Sequence, residues 1–203
     1  IHHTEMKTNH ISTTTHRRSF IKVCGLTYAG SVDCAAAYGA DYVGFNFCRG
    51  SEHYVSPAHV AGMHTANVKR VGVFNGGGAA KIRRTMAEAR LHLAQLQESC
   101  TMADARAIGP QRVIRALRLG KESTPAQLQR ELDAWAPCCR AFLVEAEDAA
   151  LLSAVSFPRP WILSGRVAPA ALQRILHTCH PDGVDIESRV GCADTMAAMR
   201  AVS

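Results

Sequence analysis

The sequence lacks the features that would place it in a membrane, on a secretory route or on nucleic acid. No apolar run among its 203 residues approaches the length needed to span a bilayer. The first nineteen positions are polar and rich in His and Thr, so no secretory leader is read there. Net charge is +6, yet the basic residues form no block, the densest patches being "VKR" at 68–70 and "KIRR" at 81–84. A nucleic-acid surface needs a concentrated basic footprint and usually a recognisable module. Neither nucleic acid nor a membrane is therefore expected as a partner. A modest positive balance suits an anionic small substrate.

No C-x-x-C pair occurs among the cysteines at 24, 34, 48, 100, 138, 139, 179 and 192. The adjacent Cys138 and Cys139 have poor geometry for either zinc or a bridge. Most of the others sit in Ala-, Leu- or Val-rich segments, so reduced thiols, no metal site and a cytoplasmic location are expected. A dinucleotide-type glycine turn is missing too: "CGLTYAG" after the first apolar run has the wrong spacing, which counts against an open doubly wound sheet.

What is present is regular. Eight short apolar runs begin with "FIKVCG" 20–25, "DYVGFNF" 41–47, "VKRVGVF" 68–74 and "LHLAQLQ" 91–97. They continue with "RVIRALR" 112–118, "AFLVEA" 141–146, "WILSG" 161–165 and "GVDIES" 183–188. Segments of helical character separate them, at 31–39, 56–67, 78–90, 101–109, 124–136, 147–156 and 168–178, with a last one at 192–202. Near-continuous apolar strands alternating with helices predict a parallel sheet covered by helices. Eight units at a spacing of about 23 residues suit a minimal (β/α)₈ barrel of α/β class. An open doubly wound sheet is the rival. Positions 1–19 are read as a disordered or tag-derived tail, and 20–203 as one barrel domain.

In a barrel, chemistry lies at the C-terminal ends of strands. Cys24, Asn46, Asn75, Gln95, Arg118, Glu145, Gly165, Arg166, Glu187 and Ser188 all fall at or just beyond such ends. Strand alternation puts Lys22 and Cys24 on one face, and a lysine fits poorly in an apolar layer. The Cys24 sulfur is therefore predicted to face the mouth.

The stretches "KVCGLT" 22–27 and "GADYVGFNFCRGSEHYVSPAHV" 39–60, with "VKRVGVF" 68–74, "RVIRAL" 112–117 and "GVDIES" 183–188, resemble the phosphoribosylanthranilate isomerase family of tryptophan biosynthesis. The first two carry the specificity, above all a Gly-Phe-x-Phe strand followed closely by Tyr-Val-Ser-Pro. The resemblance implies a (β/α)₈ barrel that needs no metal or cofactor. It implies an Amadori rearrangement of N-(5'-phosphoribosyl)anthranilate to 1-(2-carboxyphenylamino)-1-deoxyribulose 5-phosphate. By the same resemblance Cys24 is the general base and Glu145 occupies the general acid's place, where the family has aspartate. His53 stands where an arginine would grip the anthranilate carboxylate. Asn46, Gln95, Arg118, Gly165, Arg166, Ser188 and Arg189, at or just beyond strand ends, are the other expected substrate contacts. Association with other tryptophan-biosynthesis enzymes is a further implied partnership. The chain departs from the family at its phosphate loops: 146–160 has no glycine, and Gly165-Arg166 and Glu187-Ser188-Arg189 replace glycine-rich turns. Three readings stay open on the residues: the isomerase, a non-catalytic relative with a structural or interaction role, and an isomerase of another small phosphorylated ligand.

Overall fold

Eight parallel strands close into a barrel in which every strand pairs with its sequence neighbours and the eighth pairs with the first. The computed structural model describes residues 19–65, 67–164 and 169–187. The strands are β1 (Phe20–Cys24), β2 (Tyr42–Asn46), β3 (Lys69–Phe74), β4 (Leu93–Leu96), β5 (Val113–Arg118), β6 (Ala141–Glu145), β7 (Trp161–Ser164) and β8 (Gly183–Glu187). The helices between them are α1 (Ala29–Ala37), α2 (Pro57–Ala61), α3 (Ala79–Glu88), α4 (Met102–Ile108), α5 (Pro125–Trp135), α6 (Ala149–Ser153) and α7 (Pro169–Cys179). The barrel prediction holds, and the open-sheet rival fails because the β1–β8 ladder leaves no free edge. The helix expected at 192–202 lies outside the described residues. No helix of the described residues is long and apolar enough to cross a membrane.

The helix starts follow local chemistry. Thr101 and Thr124 each close a reciprocal capping box, with Asp104 and Gln127 respectively, and Asp148 caps α6. Pro57 and Pro125 sit in first turns, where a missing N–H costs nothing. Two helices are shorter than their patterns suggest: α6 covers only Ala149–Ser153 of 147–156, and α2 stops at Ala61, not near 67. The buried Arg70 guanidinium takes the carbonyls of Val60, Met63 and Ala89 and the hydroxyl of Thr65. The Val60 carbonyl is thereby engaged by a side chain from β3, and the chain turns instead of continuing its ladder.

Two apolar layers result. One fills the space between strands and helices, from Val23 and Phe45 to Leu128, Leu132 and Phe142. The other lies inside the barrel and is built from Val71, Leu93, Ile114, Ala116, Leu143 and Ile162. Gly72 faces the outer layer, where Phe47 and Phe74 stack at 5.5 Å between centroids. A Cβ at Gly72 would come within 2.4 Å of Leu91, 2.9 Å of Phe74 and 3.0 Å of Phe47.

The cysteines correct one expectation. Cys34, buried in α1, is disulfide-bonded, whereas Cys24, Cys48, Cys100, Cys138, Cys139 and Cys179 are free. Bridging depends on the separation of Cα atoms in the fold, which spacing along the chain does not reveal. Cys138 and Cys139 are buried just before β6, at the N-terminal end of the barrel. Burial pushes the Cys139 thiol from 9.0 up to about 12.

Two outcomes follow. Gly72→Ala lowers the unfolding free energy by about 1–3 kcal/mol through overpacking, read from urea unfolding curves. A thiol raised on folding contributes stability below the unfolded value, and that contribution is lost as pH rises from about 9 to about 12. Unfolding curves across that range therefore show a smaller alkaline loss for Cys139→Ala than for the parent chain.

Candidate active site

The C-terminal ends of the strands surround a cleft of about 580 Å³. It brings together Cys24 from β1, Asn46 from β2, Gln95 from β4, Arg118 from β5 and Glu145 from β6, and also Asn75 and Cys48 from adjoining loops. Ser164, Asp185 and Glu187 from β7 and β8 complete the described wall. A larger cavity of about 810 Å³ opens at the opposite end, over Phe20, Tyr42, Leu93 and Ile162. It lies beneath the N-terminal ends of the strands, where barrels keep packing and not chemistry.

Cys24 is partly exposed and lines the cleft, as the strand alternation predicted. One layer below, Lys22 is 1 % exposed inside the barrel, and its Nζ donates to Asp185 Oδ1 at 2.9 Å. The pair faces across the β1–β8 ladder, in which Lys22 registers with Asp185 and Cys24 with Glu187. Ser164 Oγ donates to the second oxygen of Asp185 at 3.3 Å. Gly44 on β2 leaves room for the group: a Cβ there would lie 2.9 Å from Cys24 Sγ and 3.2 Å from Lys22 Nζ.

The three side chains set one another's proton affinity. Burial pushes the Cys24 thiol up, Lys22 pulls it down and Asp185 pushes it up, leaving it above its ordinary value. Burial lowers Lys22, but Asp185 and Cys24 together outweigh that and hold the ammonium above its ordinary value. Lys22 is therefore a fixed positive charge beneath the sulfur.

The upper wall is more open. Arg118 Nε lies 3.3 Å from Glu145 Oε2 across the β5–β6 ladder, with side chains 70 % and 48 % exposed. Asn46 Oδ1 accepts from the Cys48 backbone N–H at 2.8 Å. Asn75 Oδ1 accepts from the Ser99 N–H at 2.9 Å and ties the loops after β3 and β4 together. Gln95 is buried, and its Oε1 has no hydrogen-bond partner among the described residues. A buried amide oxygen in that state is suited to a ligand's donor. His53 sits at the rim beside Glu187 and Glu52, with Nε2 at 3.7 and 3.4 Å. No group of three or more His, Cys, Asp or Glu among the described residues could hold a metal ion.

Of the expected site residues, Cys24, Asn46, Gln95, Arg118 and Glu145 thus share the cleft, and His53 stands at its edge. Gly165, Arg166, Ser188 and Arg189 lie outside the described residues. Lys22, Asp185, Ser164 and Gly44 were not foreseen as site residues. A signal for two of them existed, since Lys22 and Asp185 are charges in the interior of "FIKVC" and "GVDIE", strands that a closed eight-strand barrel must make neighbours.

Known proteins resemble this chain over the same span. A family model described as N-(5'phosphoribosyl)anthranilate (PRA) isomerase matches residues 21–193. An N-(5'-phosphoribosyl)anthranilate isomerase of Desulfovibrio desulfuricans is 41% identical over 180 residues, 84% of this chain and 85% of the relative. One from Magnetococcus marinus is 32% identical over 85% of this chain and 86% of its own length. The crystal structure of phosphoribosyl anthranilate isomerase from Thermus thermophilus superposes with a TM-score of 0.77 at 26% identity, covering 90% of this chain and 98% of that one. A phosphoribosyl anthranilate isomerase in complex with reduced 1-(o-carboxyphenylamino)-1-deoxyribulose 5-phosphate has the same fold, with a TM-score of 0.77 at 24% identity, over 91% of this chain and 98% of that one.

Exposed ion pairs contribute little to stability. Arg118→Ala and Glu145→Ala are each expected to change the urea-derived unfolding free energy by less than about 1 kcal/mol. A larger loss would mean that the pair is a structural tie and not a rearrangeable part of the cleft.

Proposed function

The chain belongs to the N-(5'-phosphoribosyl)anthranilate isomerase family, and from that premise we propose that its barrel mouth performs the family's rearrangement with Cys24 as base and Glu145 as acid. The reaction converts N-(5'-phosphoribosyl)anthranilate to 1-(2-carboxyphenylamino)-1-deoxyribulose 5-phosphate, a step of tryptophan biosynthesis. The supporting observation is that one cleft holds the thiol at the end of β1 and the carboxyl at the end of β6, with β7 and β8 between them.

A proton delivered to the ribose ring oxygen opens the ring and leaves a protonated imine at the anomeric carbon. Removal of the proton from the neighbouring carbon gives an enol-amine, which becomes the ketone as its enol hydroxyl loses a proton and the former anomeric carbon takes one up. Each half needs a group on a different side of the sugar. Glu145 supplies the first proton and the Cys24 thiolate takes the second. Glutamate in the acid's position keeps the functional group and lengthens the arm by one methylene, which the exposed and loosely held Glu145 tolerates.

The substrate carries two anionic ends, a carboxylate and a phosphate. Among the described residues lining the cleft the permanent cation is Arg118, and its pairing with Glu145 is exposed enough to give way to an incoming anion. The anthranilate carboxylate is assigned to Arg118 and His53, the latter acting when protonated. Asn46 and Gln95 are assigned to the sugar hydroxyls. The phosphate is assigned to Gly165, Arg166, Ser188 and Arg189, the residues that follow β7 and β8 in the sequence. A cytoplasmic location and association with other enzymes of the same pathway accompany this reading.

Turnover is followed directly by the loss of substrate fluorescence. Cys24→Ala and Glu145→Ala are each expected to lower kcat by about a hundredfold or more, the scale of a lost general acid or base. His53→Arg is expected to lower KM and leave kcat within about threefold, because it adds binding made equally in ground and transition states. Full activity in Glu145→Ala would remove the acid assignment.

A further inference from the structure

We propose that Lys22 is a positioning residue for the base: its buried ammonium, anchored by Asp185 and Ser164, is the counter-charge against which the Cys24 thiolate forms. This role rests on the reading of Cys24 as the base.

Geometry carries it. Lys22 is among the largest fully buried side chains of the protein, and a buried lysine without a task is rare. Its Nζ and the Cys24 sulfur are both within 3.2 Å of one point, the place where a side chain on Gly44 would begin. Lys22 and Cys24 stand two residues apart on β1 and point to the same side of the sheet. Asp185 receives Lys22 at 2.9 Å and is itself steadied by Ser164. A chain of contacts therefore runs from β7 through β8 to β1 and ends at the sulfur. The charged groups sharing the mouth with Cys24 are Glu98, Arg118, Glu145, Asp185 and Glu187. Of these Glu187 is the register partner of Cys24 across the β1–β8 ladder. From β2 the facing residues, Gly44 and Asn46, are uncharged.

In this arrangement Lys22 keeps its proton throughout. The Cys24 thiolate accepts the proton from the sugar carbon and becomes a thiol, and the electron pair of the broken C–H bond passes into the enol-amine. Lys22 stabilises the thiolate and Asp185 opposes it, so the two substitutions have opposite signs. A purely structural pair would not behave so, because loosening the core from either end exposes the sulfur and changes its reactivity in one direction.

The test is the rate of Cys24 alkylation by iodoacetamide as a function of pH, with peptide mapping to separate Cys24 from the other free thiols. It needs no substrate. Lys22→Met is expected to slow alkylation at pH 8 about tenfold, the effect of a thiol raised by one further unit. Asp185→Asn is expected to accelerate it severalfold, and the Lys22→Met/Asp185→Asn double variant to react more slowly than wild type but faster than Lys22→Met. The double variant replaces a buried ion pair by neutral groups, a change that folds commonly tolerate. Should Lys22→Met fail to fold, the order Asp185→Asn faster than wild type and wild type faster than the double variant still decides the matter. Equal rates, or acceleration in both Asp185→Asn and the Lys22-substituted variants, would overturn the proposal. Opposite shifts together with full turnover in Cys24→Ala would instead keep the coupling and remove the assignment of Cys24 as base.

Discussion

An ammonium and a carboxylate buried together inside the barrel set the level on which the active site is built. Desolvating each ion costs several kcal/mol, and their mutual attraction does no more than offset this when the geometry is good and the remaining valences are met. Lys22 and Asp185 meet at 2.9 Å with Ser164 on the free oxygen, so the pair is satisfied. Its partners are fixed by strand register and not by flexible loops, because Lys22 sits opposite Asp185 and Ser164 opposite Asp185 in adjacent ladders. The thiol at the end of β1 is then placed one step above a charge that cannot move.

The mouth above behaves differently. Arg118 and Glu145 pair across the β5–β6 ladder while remaining largely exposed, and His53 rests between two glutamates at the rim. Charges in water are screened and easily re-paired. The site thus has a rigid floor, where a proton acceptor is tuned, and an adjustable wall, where anionic groups of a substrate can displace existing partners. Rigid placement suits the reacting atoms, for which a misplacement of about 1 Å can cost about a hundredfold. Adjustable placement suits the recognition of two separate negative groups.

The barrel was legible because each strand is a near-continuous apolar run and several helices carry their own start signals, as at Thr101, Thr124 and Ser56. Helix length was less legible where tertiary contacts meet a helix end: the Val60 carbonyl at the end of α2 accepts from Arg70, which lies on a strand that comes later in the chain. At the site, Cys24 and Glu145 could be placed at strand ends from pattern and family resemblance, and both line the cleft. The layer beneath them was not assembled beforehand. Lys22 reads as an interruption of an apolar strand and Asp185 as another, and only closure of the sheet turns two local misfits into one satisfied pair. Gly44 carries no local signal of its role, since the side chains that need its space come from β1.

The Lys22–Asp185 contact joins residues 163 positions apart. Contacts of such separation are slow to form, since the intervening chain has to be ordered or looped before they are made. During synthesis the first strand therefore waits, its lysine solvated and its cysteine an ordinary exposed thiol, until the eighth strand has emerged. Emergence of the eighth strand and closure of the sheet bring the ammonium and its carboxylate under the sulfur together, so the thiol meets its counter-charge only when the barrel that holds both is complete.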